Sequence, residues 1–113
     1  MDLFDVSSLI MDPYAARILL GTHDHAASAI ELSRRYGIPI AACYRRIRTL
    51  QKCGLLVCEN KLPAGNGKSL QLYRSTVRAL RIAFHDGRIR AQLDASGSAV
   101  PQESVLGPED VQE

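Results

Sequence analysis

The sequence predicts an α+β fold in which helices fill the first half of the chain and antiparallel hairpins the second. Three observations carry that reading. Between Tyr14 and Leu50 the apolar residues recur at spacings of three and four, the period of a helix with one buried face. From Leu55 onward the pattern shortens to alternation, as in LQLYRST and IRAQL, the period of a strand. The alternating runs are separated by turn signals, Gly65-Asn66-Gly67 and Asp86-Gly87.

The first helix is expected over 12–21. Asp12 is a good N-cap, Pro13 suits the first helical position, and Tyr14, Ile18 and Leu19 would face the core;. A polar loop, THDHAA, leads to Ser28, and Ser28 with Glu31 makes a capping box;. The second helix then covers 29–36, with Ala29, Leu32 and Tyr36 on its apolar stripe, and Gly37 supplies the positive φ that ends it;. Pro39 can open a third helix, PIAACYRRIRTLQKC, over 39–53. At ~100° per residue Cys43, Ile47 and Leu50 fall within about 60° of one another and form its buried stripe;. Ala41, Arg45, Arg48 and Lys52 fall on the opposite side, so one face is core and the other a basic ridge. Arg46 lies on the flank, where its stem would pack against the 29–36 helix;.

Gly54 ends that helix, and LLVCEN reads as a strand. A loop over 61–69 follows, and LQLYRST returns as the antiparallel partner. A second hairpin is expected over 78–93. Asp86-Gly87 is a strong two-residue turn signal, because a type I′ turn needs positive φ at both central residues;. That turn sets Phe84 opposite Ile89, Ile82 opposite Ala91 and Leu80 opposite Leu93, all on one face;. Such a face must be covered, by the helices or by a second subunit. From Asp94 to Glu113, Gly, Ser, Pro and acidic residues predominate without periodicity, and the segment reads as a disordered tail. Residues 1–93 are thus read as one domain and 94–113 as its acidic appendage.

A chain of 113 residues is long enough for one modest core. No run approaches the ~20 apolar residues needed to span a bilayer. The start, MDLFD, is acidic where a signal peptide would be basic;. A cytoplasmic, membrane-independent protein is expected. Cys43, Cys53 and Cys58 are an odd number of thiols, which argues against a disulfide framework and for reduced, packed cysteines. The net charge of +2 hides an asymmetry. All fourteen Lys and Arg lie before position 94 with seven acids, giving +7, whereas the tail carries five acids and no bases. Six bases and no acid lie between Arg34 and Lys52. Clustered bases of this kind suit a polyanion, from whose phosphates they release counterions.

The stretch GNGKS imitates the end of a phosphate-binding loop, but the position of the motif's first glycine holds Leu62. The residues after Ser69 alternate like a strand rather than opening the helix such a loop requires;. No nucleotide is expected. His23 and His25 form an isolated pair, and no Ser/His/Asp, Cys/His or paired-carboxylate pattern is present, so neither a metal, a cofactor nor catalysis is expected.

Two helices joined at a glycine, the second basic on its outer face, followed by strand, loop and strand, make the pattern of a winged helix-turn-helix, with an additional C-terminal hairpin. SAIELSRRYGIPIAACYRRIRTLQKCGLL resembles the helix-turn-helix of small ArsR-like transcriptional regulators, particularly archaeal ones. In these a Gly-Ile turn followed by Pro or Ser precedes a recognition helix bearing a Tyr-Arg pair, and a Gly-Leu end leads into the wing. The resemblance covers about residues 12–75. It implies a regulator of double-stranded DNA, with Ile40, Ala41, Tyr44 and Arg45 at the major-groove end of the recognition helix. Arg48 and Lys52 would lie along the groove or at its phosphates. The loop 61–69 becomes the wing, with Lys61, Asn66 and Lys68 as its DNA contacts. The physics of the residues agrees: the N-terminal part of such a helix meets base edges, and arginine bonds a guanine edge in bidentate fashion. A homodimer on a two-fold site is expected, with LFDVSSLIM and the apolar face of the second hairpin as its surfaces. The acidic tail would compete with DNA for the basic face. The alternative is a winged-helix protein-interaction module inside a transcription or chromatin complex.

Overall fold

The computed structural model describes residues 2–96 and 102–111. The described chain is α+β, with four helices and two small antiparallel sheets. The helices are α1 (Leu3–Met11), α2 (Pro13–Gly21), α3 (Ala29–Tyr36) and α4 (Ile40–Lys52). The strands are β1 (Leu56–Pro63), β2 (Ser69–Ser75), β3 (Val77–His85), β4 (Arg88–Ala95) and β5 (Gln102–Leu106), followed by a 3₁₀ turn at Pro108–Asp110.

Three helices are expected from the sequence, and α1 is the fourth. Asp2 caps it, accepting from the Asp5 N–H at 2.9 Å, and Leu3 and Val6 bury one stripe while Leu9 and Ile10 flank it. Asp12 joins α1 to α2: its N–H donates to the Ser8 and Leu9 carbonyls, while its carboxylate accepts from the Ala15 N–H at 3.0 Å. α2 and α3 run as the sequence predicts. Ser28 accepts from the Glu31 N–H at 3.2 Å, and Gly37 ends α3 at φ 65°. α4 buries Ala42, Cys43, Ile47 and Leu50, and Gly54 closes it at φ 75°.

β1 and β2 are longer than the sequence suggests. Lys61, Leu62 and Pro63 pair with Gln71, Leu70 and Ser69, so the expected loop 61–69 contracts to residues 64–68. Three consecutive positive-φ residues, Gly65, Asn66 and Gly67, reverse the chain in that short space, and Leu62 opposite Leu70 carries the ladder outward;. A bridge between Ala27 and Tyr73, with bonds of 3.0 and 2.8 Å, ties the loop before α3 to β2.

β3 and β4 pair in the expected register, Phe84 with Ile89, Ile82 with Ala91 and Leu80 with Leu93, about a turn with Asp86 at φ 52° and Gly87 at φ 73°. The reading of 94–113 as a disordered tail is corrected over its described part. β5 pairs along β4, in sheet order β3-β4-β5. Acids of β5 and of the turn after it meet the basic outer side of β4: Glu103 of β5 pairs with Arg90 at 3.4 Å and Glu109 of the 3₁₀ turn with Arg88 at 2.8 Å. QESVL lacks a strong strand pattern of its own, and its order depends on this distant partner, which local periodicity does not reveal. Residues 97–101, 112 and 113 lie outside the described part. α1 packs on β4 and β5, so Ala91 and Leu93 are 0% and 5% exposed. The distal end of the same face is uncovered, with Ile82 at 53% and Phe84 at 76%.

Candidate nucleic-acid interface

The helical period alone decides the roles of the α4 side chains. Turning Cys43, Ile47 and Leu50 inward leaves Ile40, Ala41, Tyr44, Arg45, Arg48 and Lys52 exposed. No described carboxylate pairs with Arg45, Arg48 or Lys52. Their charges are therefore uncompensated by any ion pair among the described residues, and a polyanion would meet them without first breaking one.

Arg46 behaves differently from its neighbours, and not as the sequence suggests. Its guanidinium donates to both Asp12 oxygens, at 2.9 and 3.3 Å, and lies 5.8 Å from the centre of the Tyr14 ring. It thus packs on the start of α2 rather than on α3, because the Asp12 carboxylate that caps α2 faces it. The Arg46 hydrogen bond, reinforced by the Ala15 N–H, holds the Asp12 carboxyl below its usual pKa against the opposing effect of burial. The arrangement ties α4 to the start of α2.

The hairpin of β1 and β2 is anchored at its root. Leu55 N–H donates to the Leu50 carbonyl at 2.9 Å, Thr76 Oγ1 to the Gly54 carbonyl at 2.7 Å and Thr76 N–H to the Leu55 carbonyl at 3.0 Å. Lys61, Asn66 and Lys68 are all exposed toward its far end. Lys61 sits on β1 opposite Gln71, so it is a strand residue rather than a loop residue. Asn66 and Lys68 occupy the reversal itself, where Lys68 N–H donates to the Gly65 carbonyl at 3.0 Å. Arg74, further down β2, is engaged by Glu59 at 3.1 Å and by the His23 carbonyl. One base outside the expected set joins the candidates. Arg34 is exposed on α3, without an ion pair among the described residues, and lines a shallow depression with Ile30 and Leu70. Its place in the acid-free run 34–52 is the sequence signal for it.

The three cysteines are wholly or partly buried. Cys43 is buried, its thiol 3.5 Å from the Ala29 carbonyl, and burial raises its pKa. Cys53 and Cys58 are half-buried. His23 and His25 are exposed, and no cluster of three metal-capable side chains occurs among the described residues. No described helix is long and apolar enough to cross a membrane. Comparison with family models gives no match, and no curated protein matches the chain.

Proposed function

We propose that the chain is a transcriptional regulator of the winged helix-turn-helix class that binds double-stranded DNA as a homodimer. In this reading α4 is the recognition helix and the hairpin of β1 and β2 is the wing. The observation that carries it is the basic ridge on α4: Arg45, Arg48 and Lys52 stand exposed on one face without an ion pair among the described residues, while Arg46, one position from Arg45, is held by Asp12. Ala41 and Tyr44, exposed on the N-terminal side of these bases, offer a small apolar contact for a thymine methyl and a hydroxyl donor for a phosphate;. Lys61, Asn66 and Lys68 are the wing contacts, their backbone brought close by Gly65 and Gly67. The similarity of residues 28–56 to ArsR-like regulators supports the same reading.

Selection of bound duplexes from a random pool tests it. Enrichment of a palindrome with half-sites one helical turn, about 34–36 Å, apart supports the dimeric regulator. No enrichment, together with capture of a heterologous protein, would favour the interaction module instead. On an enriched site Arg45→Ala is expected to cost about 1–3 kcal/mol at one base position. Equal losses on all sequences would reduce Arg45 to a phosphate contact.

A further inference from the structure

β3 forms one edge of its sheet. The two-residue turn makes His85 and Arg88 a pair that exchanges both backbone bonds, and the pattern alternates from there;. Leu80, Ile82 and Phe84 consequently turn their N–H and C=O groups away from β4. Among the described residues no backbone bond from outside the strand takes them up. The strand contains no proline over its nine residues, and an edge of this kind is a template for another strand.

We propose that two copies of the chain join through this edge, β3 antiparallel to β3, about a two-fold axis at Ile82. The proposal rests on the dimeric reading above and names its surface. Only a register that matches outward residues with outward residues can form the ladder. Placing Ile82 opposite Ile82 of the second copy engages all three of them, with Leu80 opposite Phe84 and Phe84 opposite Leu80. The side chains agree with that choice. One face becomes continuously apolar. On the other, Arg81 lies opposite Ala83. Moving the axis to Arg81 would also match outward groups, but it sets Arg81 against its own copy in the more closely spaced kind of pair, where like charges repel. Arg81 thus selects one register rather than forbidding pairing.

A second feature fits the same axis. Ile10, Met11, Leu19, Leu20 and Leu80 line an apolar groove at the start of β3. Met11 is 69% and Leu20 77% exposed there. In the Ile82 register Phe84 of the second copy arrives beside Leu80, at this groove. The exposed ring and the open groove lie on the same chain, so each copy fills the other's and the contact closes on itself.

Sedimentation velocity of the full chain without DNA, at tens of micromolar, is expected to give a dimer. Ile82→Pro removes only an outward N–H and leaves the ladder to β4 intact. Phe84→Asp puts a charge at the groove. Each is expected to give a monomer with unchanged far-UV circular dichroism. Under mild oxidation Ile82→Cys is expected to yield a covalent dimer absent from the parent chain, since directly opposed residues of a hydrogen-bonded pair stand about 5.5 Å apart. A monomeric parent chain, a dimer that survives both Ile82→Pro and Phe84→Asp, or cross-linking through Arg81→Cys and not Ile82→Cys overturns the proposal. Arg45-dependent binding of Phe84→Asp to a single half-site duplex reports on the DNA reading separately, because it needs no dimer.

Discussion

At the scale of single residues, Asp12 links three elements. Its N–H finishes α1, its carboxylate caps α2, and the same carboxylate holds Arg46 of α4. Replacing it by alanine removes cap and partner together and is expected to cost about 1–2 kcal/mol in urea unfolding at pH 7. Asp12→Asn keeps a capping oxygen but loses the charge, so it separates the two effects. Because the folded carboxyl titrates below its ordinary value of 3.8, its stabilisation is fully present above that value and is lost as pH falls through the folded one. The stability gap between the native chain and Asp12→Asn is therefore expected to narrow as pH falls below that ordinary value;. A constant gap would mean that the ion pair contributes nothing beyond the cap. Arg45 and Arg48 differ from Arg46 only in helical phase, and that phase was readable from Cys43, Ile47 and Leu50 alone. The partner of Arg46 was not readable, since 34 residues separate it from Asp12.

At the scale of elements, α1 and β5 complete the second sheet. α1 supplies the cover over Ala91 and Leu93 through Leu3 and Val6. Leu3→Ala is expected to destabilise by about 2–3 kcal/mol, measured by urea unfolding, because it opens a cavity under that cover. β5 and the 3₁₀ turn after it bring Glu103 and Glu109 to Arg90 and Arg88, which engages these acids at β4 instead of leaving them to compete for α4. Truncation after Ser96 is accordingly expected to lower the melting temperature by several degrees. If it raised DNA affinity at low salt without any loss of stability, competition by the tail would be the better account. Neither element announced itself locally. LFDVSSLIM is short and preceded by a single residue of cap, and QESVL has too few apolar residues to mark a strand. The turn at Asp86-Gly87 did announce itself, because positive φ at two successive positions restricts the residues that fit;.

For the whole molecule, the +7 carried by residues 1–93 against the acids of 94–113 makes the proposed DNA binding an ionic-strength-dependent property. Neutralising about six phosphates predicts a slope of about −5 in log affinity against log salt. A flat dependence in a filter-binding or anisotropy titration would remove the electrostatic part of the proposal. The free edge of β3 adds a second quantity of the whole molecule, its association state, which the same titration should be run with in view. By itself the sequence determined α2, α3 and α4, the register of the β3-β4 hairpin and the face of α4 that carries the bases, because each follows from spacing, caps or turn chemistry within a few residues. Tertiary structure alone decided that α1 and β5 exist, that Arg46 is held by Asp12, that the first hairpin's strands run out to Pro63 and Ser69, and that half of the second hairpin's apolar face is left open. Those outcomes depend on which distant surfaces meet, and a pattern confined to neighbouring residues carries no record of that.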